Sequence, residues 1–325
     1  MAVRPALPND LPAVARMLAT FGVTDECVVG AVMPAPIATG GMSAMRLLPG
    51  MLGLRSRVRV FVEEQRGRHR AVALVYAGRR PEWVLLMLAA QPGPDGADAA
   101  FRLLAGVSAV AARSGMQRVF ASTPDRTRAR ETFFQAGFYS YTRETWYGSS
   151  GTTLAEPSRR DAHVARGRDA HDLFRFYAST TPHAVQRAEQ LSVEDFDVGR
   201  RAGAFDPPHI GGNPLEMRRQ MLVVMGDGSR TRGYAVSYRG SERHPHVCKV
   251  RTAEGETDLA RELLRLVALD LPHGHPMLVP VRSYEDHVAR ALVAEGFGEA
   301  ATSMLFVKEL AVRIEEPALA PAVVR

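Results

Sequence analysis

Apolar positions along this chain recur with two different spacings, and the spacings alternate in a fixed order. The run Trp83–Ala90 is almost wholly apolar, as a strand buried on both faces requires. After it, DGADAAFRLL (95–104) opens a segment with helical spacing. Arg118–Ser122 reads as a strand, and a second helical segment then ends at Gly137-Phe138, where glycine supplies the left-handed turn that closes a helix. Tyr139–Tyr147 is the last strand of this half. Earlier, Val3–Phe21 reads as a strand, a turn capped at Asn9-Asp10 and a helix, and Arg57–Gln65 and His69–Gly78 read as a hairpin.

The whole order then repeats. GETDLARELL (255–264) matches DGADAAFRLL at a constant offset of 160, placing Asp98, Ala100, Leu103 and Leu104 opposite Asp258, Ala260, Leu263 and Leu264. His246–Val250 precedes it as a strand, Met277–Val281 follows, and a helix ends at Gly296-Phe297 before the strand Ala301–Val307. His163–Thr180 repeats the chain start, with Asp169 as cap. Gln220–Gly228 and Arg232–Gly240 repeat the hairpin. The expected organisation is a first domain over 1–148, a linker over 149–161, a second domain over 162–312, and a loose Pro/Ala-rich tail over 313–325.

This doubled order, with its helix–Gly-Phe endings, resembles the GNAT N-acetyltransferase superfamily over nearly the whole chain. The resemblance implies an α/β fold of the α+β type: two tandem GNAT-like domains, each a mixed central sheet flanked by helices. It implies acetyl-CoA or another acyl-CoA as cofactor, entering where the fourth strand splays from the fifth. The strand backbone near Ala90 or Val250 would hold the thioester. The pyrophosphate would rest on amides opening the next helix, near Gly96 and Ala100 in the first half, and near Gly255, Thr257 and Ala260 in the second. Arg251 stands just before that second loop, within reach of a phosphate.

Against the family loop, this sequence departs in both halves. The basic position is Asp95 or Gly255, and the central glycine is Asp98 or Asp258. Both of the latter residues are read as N-caps. The family's tyrosine acid falls on Phe133 and Leu292, neither of which can give a proton. Tyr139, Tyr141 and Tyr284 are substitute acids or ordinary tyrosines. Glu63, Glu64 and Glu82 are candidate bases, or partners for the neighbouring arginines. His244, His246, His273 and His275 lack acidic or thiol companions at metal spacing, so no metal is expected.

Charge changes the picture in one place. Arginine supplies 39 of the 41 basic residues, and residues 1–150 hold 18 of them against 11 acidic residues. The excess clusters at Arg55, Arg57, Arg59, Arg66, Arg68 and Arg70. Aromatic residues are not interleaved there, which disfavours nucleic acid as a partner. No run of eighteen uncharged apolar residues occurs, and no secretory signal opens the chain. Cys27 and Cys248, far apart, read as free thiols of a cytoplasmic protein. The insert over 26–54 is Met-rich and apolar, whereas its counterpart, Ala188–Arg219, is polar. Three functions stay open: acyl transfer to a small-molecule or peptide amine, a non-catalytic binding or scaffold role, and phosphate-polymer binding.

Overall fold

The computed structural model describes residues 2–21, 28–29, 51, 57–77, 80–125, 129–150, 154–158, 162–197, 219–227, 230–240, 245–272 and 274–310. The first half runs β1 (Ala2–Pro5), α1 (Leu11–Phe21), β2 (Val28–Val29), β3 (Val58–Gln65), β4 (Arg68–Ala77), β5 (Glu82–Ala90), α2 (Pro94–Arg113), β6 (Arg118–Pro124), α3 (Ala129–Gln135) and β7 (Tyr139–Ser149). The second half runs β8 (Ala162–Val164), α4 (Ala170–Thr180), α5 (His183–Glu189), β9 (Arg219–Asp227), β10 (Arg230–Tyr238), β11 (His246–Thr252), α6 (Thr257–Leu269), β12 (Met277–Arg282), α7 (Asp286–Ala294) and β13 (Gly298–Glu309). The order of helices and strands therefore repeats, as the apolar spacing predicts.

All the described strands join one mixed sheet, ordered β1-β3-β4-β5-β6-β13-β7-β12-β11-β10-β9-β8, with β2 on β5. Its centre is an exchange. The last strand of the second half, β13, lies between β6 and β7, and β7 in turn pairs with β12. Each half thus receives its final strand from the other. The cores record the same exchange. Phe306 and Val307 pack among first-half residues, whereas Trp146 and Tyr147 pack among second-half residues.

One face of the sheet carries α1 in the first half and α4 in the second; the other carries α2 and α3, then α6 and α7. Both Gly-Phe endings form the same turn. Gly137 and Gly296 sit at φ +81° and +83°, and Phe138 and Phe297 donate their N–H groups back to the carbonyls of Phe133 and Leu292 at 3.0 Å. Asp10 and Asp169 also act alike, each accepting the N–H three residues upstream, from Leu7 at 2.7 Å and Arg166 at 2.6 Å.

Two expectations are corrected. Asp98 does not cap α2, because that helix starts at Pro94, four residues earlier, with Gly93 as N-cap. Asp258 does not cap α6; it is the second helical residue, its carboxylate is 95% exposed, and Glu256 occupies the N-cap. Most of the Met-rich insert, Cys27, Glu26, the cluster residue Arg55, His244, His273 and the tail from 311 lie outside the described residues.

Candidate functional site

Two parallel strand pairs part company along their length, one in each half. In the first, β5 and β6 pair only at Glu82–Arg118, Trp83–Val119 and Val84–Phe120, and β5 then continues without β6 to Ala90. In the second, β11 and β12 pair at His246–Met277 and Val247–Leu278, and β11 continues to Thr252. Each parting leaves a row of backbone groups on the edge of the longer strand.

The first gap is filled by the chain itself. The backbone of Val28–Val29 pairs antiparallel with Met87–Leu88 on the edge of β5 that β6 has left. The helix that follows is closed as well. Pro94 has no N–H, and the N–H groups of Gly96 and Ala97 both donate to the Gly93 carbonyl. A Cβ on Gly96 would come 1.5 Å from the Gln91 carbonyl oxygen, so the turn is packed tight. Ala90 and Ala100 are buried in the core. Asp95 and Asp98 are exposed on this first stretch of α2 and add negative charge where a pyrophosphate would rest. The residues of the first gap do not fit acyl-CoA.

No described strand pairs with the free edge of β11. Val250 faces the α6 side with Cys248, whose thiol is buried and pushed well up by that burial. Gly255, at φ +81°, turns the chain into α6, and a Cβ there would meet nothing within 4 Å. Thr257 opens the helix and Ala260 is buried beneath it. The Thr257 N–H donates to the Gly255 carbonyl at 2.9 Å, and the next N–H groups of the first turn face the loop, as at any helix N-terminus. Arg232 holds Glu256 beside this turn at 2.6 Å. These residues fit an anion at the helix start with acyl-CoA along β11, while the exposed carboxylates of Glu254 and Asp258 oppose it and that of Glu256 is offset by Arg232.

On the other face, the open end of the second gap is polar throughout. Arg251, reaching across from β11, is ion-paired with Glu285 in the turn after β12. The Arg282 N–H also donates to Glu285 at 2.9 Å. Burial drives the Glu285 carboxyl upward, with the two guanidiniums pulling it back. Arg282 lies between two carboxylates, Glu144 at 2.9 Å and Glu189 at 3.2 Å, and all three side chains are at most 3% exposed. Tyr177 donates to the other Glu189 oxygen at 2.9 Å. Tyr141, Tyr234 and Tyr284 surround this cluster, and burial raises all three phenols, Tyr234 to about 12.

Of the candidates read from sequence, Val250, Arg251, Gly255, Thr257, Ala260 and Tyr284 come together around this second gap. Glu63 and Glu82 do not. Glu63 faces α2 and pairs with Arg102 at 2.9 Å, two strands away from the first gap. Glu82 sits at the closed end of β5 on the opposite face, with Arg118 at 2.7 Å and Arg80 at 3.3 Å. Tyr139 donates to Glu309 at 3.0 Å. Phe133 and Leu292, at the family's tyrosine position, are core residues. His246 has its ring nitrogens against the Gly240 N–H and the Pro272 carbonyl, which suits a neutral strand-end histidine. No group of three or more metal-ligating side chains occurs among the described residues. Glu144, Tyr177, Glu189 and Arg282 were missed. They come from four elements, and no local spacing joins them.

No family model matches the sequence, and no curated protein matches it. Solved structures do match in shape. A GCN5-related N-acetyltransferase from Sphaerobacter thermophilus aligns over 97% of this chain and 97% of its own, at 16% identity and a TM-score of 0.53. A tandem GNAT protein from the clavulanic acid biosynthesis pathway aligns over 96% and 99%, at 12% identity and 0.53. The fold is the GNAT fold. Similarity at this identity concerns architecture, and the GNAT fold places the strand partings described above where they are found. No described helix is long and apolar enough to cross a membrane.

Proposed function

We propose that this chain is an acyl-CoA-dependent N-acyltransferase whose chemistry takes place in its second half, with a small-molecule or peptide amine as acceptor. The observation that carries the reading is the convergence of Glu189, Tyr177, Arg282 and Tyr284 at the open end of the β11–β12 parting. Bound acyl-CoA would supply the activated acyl carbonyl. The β11 backbone near Val250 would orient it, and the α6 N-terminus, turned by Gly255, would hold its phosphates. Glu189 is the base: its carboxylate takes the proton the amine loses on acylation. Arg282 and Tyr177 hold one oxygen each, which fixes where the carboxylate stands. Tyr284, kept protonated by burial and by neighbouring Glu285, holds a proton to give to the departing sulfur.

The first half is assigned a non-catalytic role, because β2 occupies its gap. The reading takes the protein as cytoplasmic, with neither nucleic acid nor membrane as partner. Calorimetry with acetyl-CoA on the full chain, together with CoA release over a panel of polyamines, amino acids and arylamines, tests it. The expected result is about one acetyl-CoA per chain and turnover with at least one amine class, reduced to a small residual rate in Glu189→Gln. Absence of binding at millimolar acetyl-CoA would sink the reading and leave a binding or scaffold protein.

A further inference from the structure

Residue Glu189 is held from two sides by two different halves of the chain. Its carboxylate points into the second-half cluster, as described. Its backbone carbonyl instead accepts from Arg80 Nη1 at 3.0 Å. The next carbonyl, Gln190, accepts from Arg80 Nη2 at 2.7 Å, and the preceding one, Ala188, accepts from Arg118 Nη1 at 3.2 Å. These are the last carbonyls of α5. A helix end leaves such groups without helical partners and with partial negative charge, so cations are favoured there. Gln190, at φ +45°, turns the chain away directly after them.

Both guanidiniums belong to the first half, and both are tied to one carboxylate. Arg118, only 4% exposed, lies 2.7 Å from Glu82, and Arg80 lies 3.3 Å from the same oxygen. Asp195, in the turn Val193–Phe196, holds Arg80 from the far side at 3.7 Å. Ala188 is fully buried among first-half core residues such as Val62, Leu74 and Phe120. The C-terminal turn of α5 is therefore seated on the first half, while its final side chain works in the second.

We propose that the first half positions the base of the second: Arg80 and Arg118, braced by Glu82, fix the last turn of α5 and so set where the Glu189 carboxylate stands. This rests on the acyl-transfer reading for the role of Glu189, and on the geometry alone for its positioning. Arg80, Arg118 and Glu82 are positioning residues, since they reach the site only through the α5 backbone. A half with a closed gap thereby has a task.

The test is a double-mutant cycle on the full chain. Arg80→Ala should lower kcat about 10- to 100-fold, as small displacements of a catalytic group do, with KM for acetyl-CoA unchanged. Arg80→Lys, which keeps the charge, should recover part of the loss. In a Glu189→Gln background, Arg80→Ala should lower the residual rate no further. Independent, multiplying losses would overturn the proposal, because a merely structural arginine weakens both backgrounds alike. If the wild type shows no turnover, the acyl-transfer reading fails, and the positioning is read by carbon-13 NMR of glutamate-labelled protein. The Glu189 carboxyl signal, assigned by its loss in Glu189→Gln, should then change its chemical shift in Arg80→Ala and return towards the wild-type position in Arg80→Lys. An unmoved signal would overturn the proposal.

Discussion

The two strand partings occupy equivalent places in a repeated fold and have opposite chemistry. Tyr177 of the second half stands where the first has Leu18, and the cross-strand pair Arg282–Glu144 stands where it has Ser122–Leu305, on the same face of the sheet. In the first half the open end carries the small hydroxyls of Ser122 and Thr123 and is filled by β2, and the buried charges Glu82 and Arg118 stand at the closed end. In the second half the closed end is His246 and Met277, and the charges gather at the open end. The apolar periodicity that builds the sheet is shared; a few polar replacements on facing elements decide which gap is equipped to do chemistry.

The largest effect expected concerns the strand exchange that joins the halves. Each half lacks its own final neighbour, so residues 1–158 and 159–325 expressed separately should not give folded monomers. Co-expression should give a one-to-one complex on size-exclusion chromatography with full-chain circular dichroism. Two separately cooperative monomers would show that β7 and β13 can return to their own halves, and the comparison would then describe two independent units.

Arg282 and Ser122 sharpen the contrast between the gaps. Replacing Arg282 with Met leaves Glu144 and Glu189 buried without their shared cation, which costs about 3–5 kcal/mol. Ser122→Ala at the equivalent first-half position removes a single small hydroxyl, and should cost about 1 kcal/mol. Urea denaturation of both variants measures the difference. Similar losses would mean that the second gap is no more charge-dependent than the first.

Much of this was legible in the sequence, and the parts that were not share a cause. Helix spacing and Gly-Phe endings are local signals, so the element order and both closing turns follow from them. Gly255, Thr257, Ala260, Val250 and Arg251 are placed by their distance from that repeat. The strand exchange is invisible locally, because β7 and β13 are equally apolar and either half could accept either strand. Glu144 reads as a lone carboxylate on a strand and Glu189 as part of a polar insert; only their shared long-range partner, Arg282, makes them a site. The start of α2 was misread although the signal was present. Proline favours the first turn of a helix, and Pro94 outranked Asp98.

A smaller effect separates the two closed ends by pH. Burial pushes the Glu82 carboxyl from 4.5 up to about 7, against the opposing pull of Arg80 and Arg118. The folded state thus favours the protonated form. The stability from this group is fully present below about pH 4.5 and is lost as pH rises through about 7. Glu82→Gln, a neutral isostere, should flatten the dependence of Tm on pH across this window. His246, at the second closed end, is pushed the other way by burial, so that the folded state favours its neutral form. An unchanged slope in Glu82→Gln would show that the two arginines hold the carboxylate ionised throughout.

The smallest expected effect separates a helix cap from a surface charge. Asp98 and Asp258 share a repeat position, and a cap at either would be worth about 1 kcal/mol to its helix. Neither side chain reaches an N–H group of the first turn. Asp258 keeps only the favourable field of a helix N-terminus and a 3.9 Å approach to Arg261, both at an exposed site. Asp98 stands a full turn inside α2, where that field has faded. Asp258→Ala should therefore cost a few tenths of a kcal/mol, and Asp98→Ala should cost nothing measurable, since alanine is the better helix former. The same Asp258→Ala variant should bind acetyl-CoA more tightly, because it removes an exposed carboxylate opposed to a phosphate at the α6 N-terminus, while Asp98→Ala should leave binding unchanged. Urea midpoints and calorimetry on the two variants give four numbers. A loss near 1 kcal/mol in either variant would restore the cap, and equal tightening in both would mean that the first gap also takes acyl-CoA.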